Sequence, residues 1–133
     1  TVVLVHDGAR PLASVDLFRR VVASVVDGAD AVVPGVAVSD SLRKACGGVL
    51  ERETVVAVQT PQGFSARSLR DAHRSGGEAS DDATLVEAAG GRVVVIDGEA
   101  TNLKITVPLD LAIAELSIGV VGFDAGDEAV FGG

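Results

Sequence analysis

The chain has no tryptophan, tyrosine or methionine, and only four phenylalanines in 133 residues. Proteins that hold single-stranded nucleic acid stack bases on aromatic rings, so that class of partner is poorly served. Net positive charge is missing too: 19 acidic residues against 11 Lys and Arg give a formal charge of −8. A field of that sign repels DNA, RNA and anionic membranes, while a local convergence of Arg or Lys can still hold a small anion. Cysteine is reduced to Cys46, which excludes an internal disulfide, and since His6 and His73 form no ligand cluster with it a zinc site is not expected. No run approaches the ~20 apolar residues of a membrane span, and no basic-then-apolar leader opens the sequence. A cytoplasmic setting is the expectation.

What the chain does have is aliphatic bulk, 47% hydrophobic against 23% charged. That balance excludes wholesale disorder and fits one α/β or α+β domain with a buried core. The first segment sets the plan. Val2-Val3-Leu4-Val5 is unbroken by polar residues and stops on His6-Asp7-Gly8-Ala9-Arg10-Pro11. An aliphatic run without alternation predicts a strand buried on both faces, as in a parallel sheet covered by helices. In open α/β sheets ligands gather beyond the carboxyl ends of strands, which makes His6, Asp7, Gly8 and Arg10 the first site candidates. Because the run opens at Thr1, inside what reads as a central strand, the domain is expected to extend upstream.

Downstream, Ser14 predicts an N-cap for a helix carrying Leu17, Val21, Val22 and Val25 and ending at Gly28, followed by a strand at Ala31-Val32-Val33-Pro34. Strand, helix, strand in that order is the pattern of a βαβ unit. Residues Ser41 to Val56, with Gly47-Gly48 at the turn, predict a β-hairpin whose mixed composition makes it project from the body, either as an arm that meets a partner subunit or as a solvated excursion. Thr60-Pro61-Gln62-Gly63-Phe64 reads as turn chemistry, and Ser65 as the cap of a helix with Leu69 and Ala72 inward. Ser80-Asp81-Asp82 stands before a helix closed by Gly90-Gly91, where carboxylates suit the macrodipole whatever else they do. Arg92-Val93-Val94-Val95-Ile96 predicts a further buried strand, Thr101 to Thr106 a corner with a short strand, and Pro108 the first turn of a helix. Residues 117–133 are assigned no role.

Singly, the candidate residues have ordinary explanations. Asp-Gly is a turn dipeptide, His6 can be a packed or hydrogen-bonded histidine, Lys104 an exposed lysine with a covered stem, and Arg52 the partner of Glu51 or Glu53. Together their types suit phosphate chemistry: a carboxylate able to hold Mg²⁺, an arginine fork and a lysine point charge.

Four ordered segments raise those odds. Val5-His6-Asp7-Gly8-Ala9-Arg10-Pro11, Gln59-Thr60-Pro61-Gln62-Gly63-Phe64, Ser80-Asp81-Asp82-Ala83 and Asn102-Leu103-Lys104-Ile105-Thr106 resemble the later half of the 2-C-methyl-D-erythritol 4-phosphate cytidylyltransferases, over Val2 to Glu115. The resemblance implies a Rossmann-like α/β nucleotidyltransferase fold over residues 1–116 with an arm at 38–58, incomplete at its N-terminus. It implies transfer of a cytidylyl group from CTP to methylerythritol phosphate with release of pyrophosphate, Mg²⁺ as cofactor, and a homodimer whose arms reach the neighbouring site. By position, Asp7 would meet nucleotide and metal, with Gly8 beside the nucleotide. Arg10 and Lys104 would act on the reacting phosphates, and Ser41, Arg52, Thr60, Ser80 and Lys104 would hold the alcohol phosphate. The sequence departs from the family pattern at Thr101, where an acid is common, and contains no Gly-rich triphosphate loop with its Arg and Lys. The chain by itself is therefore expected to be inactive. A pentitol-phosphate (for example ribitol-phosphate) cytidylyltransferase and a non-catalytic dimerising fragment are the alternatives.

Overall fold

A mixed sheet with helices on both faces carries the chain, described for residues 1–119 in a computed structural model. β1 (Val2–Val5) lies beside β6 (Gln62–Ser65), and β6 lies beside β2 (Ala31–Ala37). Both pairings are antiparallel, with Val5 opposite Gln62 and Ala31 opposite Phe64. The upper part of β2 pairs antiparallel with β5 (Val56–Val58), and its other edge takes β7 (Val93–Asp97) in parallel. β2 thus pairs with three strands, more than any other among the described residues, and residues 31–35 are all buried.

Successive side chains of β2 feed two separate cores, as the two-residue period of a strand requires. Val32 packs with Leu17, Val21 and Val25 of α1 (Val15–Val26) on one face. Ala31 and Val33 pack with Phe64, Ala72 and Val86 on the other, beneath α2 (Ala66–Arg74) and α3 (Asp82–Ala88). The helices start where their caps predict: Ser14 Oγ accepts from the Leu17 amide, Ser65 Oγ from Ser68, and Asp81 Oδ1 from Thr84. A last helix, α4, occupies residues 108–119. Asp110 Oδ2 reaches back to accept from the amides of Thr106 and Val107 and from the Thr106 hydroxyl, closing its first turn.

Three sequence expectations change. β1 is not buried on both faces in a parallel arrangement: among the described residues it pairs with β6 alone, antiparallel, and Leu4 and Val5 are 37% and 40% exposed. An aliphatic run reports a preference for burial but names no neighbour. Secondly, part of the predicted turn at Thr60 to Phe64 is strand β6, which separates β1 from β2. Its apolar content is one phenylalanine, so no hydrophobic period announces it. Its burial comes from Gly63, where a Cβ would stand 2.5 Å from Val21 Cγ1, so that only glycine lets α1 lie this close to the strand. Finally, the stretch before Thr106 forms no strand. Ile105 donates one backbone bond to Ala9 O, 2.8 Å, and the ladder goes no further.

The predicted arm is present. β3 (Leu42–Arg43) and β4 (Val49–Leu50) form a two-stranded sheet of their own around Gly47 and Gly48, both at positive φ. A single 3-10 turn at Arg52–Thr54 leads back to β5 and the main sheet. Cys46 is exposed at the arm's tip. Of the tail set apart at 117–133, residues 117–119 end α4 and the rest lies outside the described residues.

Candidate functional site

The pairing of Val5 with Gln62 brings the end of β1 against Thr60, and from that contact the corner is built. The Asp7 amide donates to Thr60 Oγ1, 2.9 Å. His6 Nδ1 lies 3.0 Å from the same oxygen, and His6 Nε2 lies 3.0 Å from Arg10 O. The imidazole meets the Phe18 ring edge-on at 5.1 Å. His6 is therefore a hydrogen-bonded and packed histidine that joins both ends of the corner.

Asp7 carries the charge. Its Oδ2 is 3.2 Å from Lys104 Nζ, and Oδ1 accepts from the Ala9 amide at 3.3 Å. Hydrogen bonding from Lys104, then from the Ala9 amide, holds the Asp7 carboxyl below its ordinary value. Gly8 sits in the turn with nothing within 4 Å of where a Cβ would be, so space does not require a glycine there.

Lys104 is delivered by a buried polar brace. Asn102 is fully buried, and its Nδ2 donates to Thr60 O at 2.8 Å and to Gln59 Oε1 at 3.3 Å. Gln59, 6% exposed, donates through Nε2 to Glu99 O at 2.8 Å, while its Oε1 accepts the Glu99 amide at 3.0 Å. The Glu99 carboxylate in turn accepts from the Ser14 amide at 3.1 Å and from the Ser14 hydroxyl. One connected set of bonds thus ties the start of α1, the loop after β7 and the residues before β6. Asn102 Oδ1 is the one atom of this brace left without a partner among the described residues, and the bonds that do form rigidify what they hold. The sequence placed Asn102 at the corner but left Gln59 and Glu99 without roles. A polar residue gives no sign in one dimension that its burial is shared.

A cleft of about 570 Å³ opens beside the corner. His6, Asp7 and Thr60 form one wall, and Ser80, His73 and Asp82 the other. His73 Nε2 lies 2.8 Å from Asp82 Oδ1, linking α2 to α3 across that far wall. The fold therefore brings Asp7, Thr60, Ser80 and Lys104 to one locality. Arg10 stands behind it: Nη1 donates to Asn102 O at 2.7 Å, and Nη2 reaches Val58 O at 3.5 Å. Ser41 and Arg52 are elsewhere, on a separate cavity of about 270 Å³ on the arm. There Arg52 Nη1 donates to Ser39 O at 2.6 Å and Nε faces Glu53 at 3.3 Å.

Among the described residues no group of three or more His, Cys, Asp or Glu is arranged to hold a metal ion. Asp7 is nevertheless a fit for Mg²⁺, which commonly takes one or two carboxylates and completes its shell with water and phosphate oxygens.

The mixed sheet with helices on both faces is the α/β nucleotidyltransferase fold of its solved neighbours. The enzyme from Thermus thermophilus, titled 2-C-methyl-D-erythritol 4-phosphate cytidylyltransferase, superposes with a TM-score of 0.76 at 48% identity, over 86% of this chain and 60% of that one. A family model described as 2-C-methyl-D-erythritol 4-phosphate cytidylyltransferase matches residues 1–119, and the chain belongs to that family. A relative of that name from Rhodococcus opacus (strain B4) is 49% identical over 118 residues, 84% of this chain and 52% of that protein. A protein named bifunctional enzyme IspD/IspF from Nitratidesulfovibrio vulgaris (strain DP4) is 43% identical over 85% of this chain and 31% of its own. The chain spans about half the length of the single-function relatives it matches and about a third of the bifunctional ones.

Proposed function

We propose that the chain supplies the alcohol-phosphate side of a site that joins CTP to 2-C-methyl-D-erythritol 4-phosphate and releases pyrophosphate, a step of isoprenoid biosynthesis. The observation that carries this reading is the Lys104–Asp7 pair, 3.2 Å apart beside the cleft, in a chain of this family. A phosphate oxygen of the alcohol phosphate attacks the α-phosphorus of CTP. The new P–O bond forms as the bond to the β-phosphate breaks, and pyrophosphate leaves with the electron pair. Both reactants are anions, so fixed cations must offset their repulsion and hold the attacking oxygen in line. Lys104 has its ammonium at the corner and half exposed, which suits it to the incoming phosphate. Arg10 serves the same field from behind, holding the Asn102 carbonyl that precedes the Lys104 loop. Thr60 and Ser80 face the cleft from opposite walls and suit the polyol. Mg²⁺, held by Asp7 and triphosphate oxygens, would supply further charge neutralisation.

The arm belongs to the same proposal. Ser41 and Arg52 line a cavity apart from the Asp7 cleft, and among the described residues β3 and β4 pair only with each other. A homodimer in which each arm serves the partner's cleft gives these two residues their substrate. The free, exposed Cys46 is consistent with the reducing cytoplasm.

The test is a hybrid protein in which residues 1–119 replace the matching segment of the Rhodococcus opacus relative. Pyrophosphate release that requires both CTP and methylerythritol phosphate is expected. A folded hybrid without release overturns the proposal in favour of a non-catalytic role, and preferential turnover of ribitol 5-phosphate moves the substrate to the pentitol phosphates.

A further inference from the structure

For a neutral imidazole the hydrogen bonds around His6 have one consistent direction. Arg10 O is a carbonyl and can only accept, so His6 Nε2, 3.0 Å away, must carry the proton. In the neutral ring Nδ1 is then bare and accepts. Its partner at 3.0 Å is Thr60 Oγ1, which must turn its hydroxyl hydrogen toward the imidazole. The same oxygen receives the Asp7 amide at 2.9 Å. Thr60 has then spent its single proton and one of its two lone pairs. What it has left for the cleft it lines is one lone pair.

We propose that His6 is a positioning residue that makes Thr60 an acceptor toward the ligand. Thr60 then takes a hydrogen from an alcohol hydroxyl and offers nothing to a phosphate oxygen, which is itself an acceptor. The cleft reads the polyol at Thr60 and leaves phosphate to the cations. The inference rests on the proposed function for its substrate, but its core is a tautomer and a bond direction that can be read without turnover.

Two measurements test it. In the ¹⁵N-labelled chain at about pH 8, where an ordinary imidazole is neutral, long-range ¹H–¹⁵N spectra should show His6 protonated at Nε2 and bare at Nδ1. Thr60→Val should shift the Nδ1 resonance and the Asp7 amide. A proton on Nδ1, or a Nδ1 resonance indifferent to Thr60→Val, overturns the proposal whether or not any activity is found. In the active hybrid, His6→Phe keeps an aromatic ring on Phe18 but cannot accept from Thr60. It should raise the KM for methylerythritol phosphate roughly fivefold, the scale of one neutral hydrogen bond, with KM for CTP unchanged. His6→Asn, whose amide oxygen can accept near the Nδ1 position, should recover most of the loss. Inhibition by inorganic phosphate should be the same in all three proteins; an equal loss of phosphate affinity in His6→Phe means Thr60 donates to phosphate and overturns the assignment.

Discussion

Lys104 Nζ stands 3.2 Å from Asp7 Oδ2, so the loop after β7 and the loop after β1 meet in an ion pair at the mouth of the cleft. Lys104 is half exposed and the Asp7 side chain 29% exposed, so the pair is screened by solvent and contributes little to stability. Under the proposed function its importance lies in placing a cation and a carboxylate within reach of the same ligand.

Replacing Lys104 with Met removes the first cause of the depressed Asp7 pKa. The Asp7 carboxyl should titrate below the ordinary range in the chain and move back up toward it in Lys104→Met, read from ¹³C shifts of the carboxyl across acid pH. The sign for stability follows. A depressed folded-state pKa means this contribution is complete above the ordinary carboxylate value, ~3.9, and is lost as pH falls through the lower folded value. An Asp7 titration unchanged in Lys104→Met would mean the pair does not form in solution.

Gln59→Leu should be among the costliest single changes. Leucine can neither accept the Glu99 amide nor donate to the Glu99 carbonyl, and Asn102 Nδ2 loses one of its two acceptors. Buried polar groups left without partners cost about 1–3 kcal/mol each. Urea unfolding should show a lowered midpoint with an unchanged slope, and a loss below about 1 kcal/mol would mean water replaces the side chain.

Ser14→Ala removes both the α1 cap and a donor to Glu99. The expected loss is about 1 kcal/mol, as for other N-cap serines. A thermal melt that matches the parent chain would show that Glu99, which also accepts the Ser14 amide, holds the helix start without the hydroxyl.

Gly63→Ala tests the packing that lets β6 enter the sheet. The added methyl would lie 2.5 Å from Val21 Cγ1 and 3.1 Å from Val25 Cγ2, both in the α1 core. Overpacking of this kind costs about 1–3 kcal/mol. Val21→Ala in the same chain should relieve part of the strain, so the two losses should sum to more than the double variant's loss; simple additivity would place the strain elsewhere.

The local sequence determined the helices and the arm. Ser14, Ser65 and Asp81 each carry an oxygen that satisfies an amide within three residues of itself, and Gly47-Gly48 supplies the positive φ of a tight turn. The four motifs pointed to the family; the fold lines one cleft with Asp7, Thr60 and Ser80 and pairs Lys104 with Asp7. Tertiary structure alone decided that Gln62 to Ser65 is a strand, because its burial comes from α1 approaching Gly63 and not from its own hydrophobicity. It decided that β1 has an antiparallel neighbour, since an aliphatic run does not encode which strand will pair with it. It also decided what His6, Gln59 and Asn102 do, because a hydrogen bond between residues far apart in the chain exists only once the sheet has brought its two ends together.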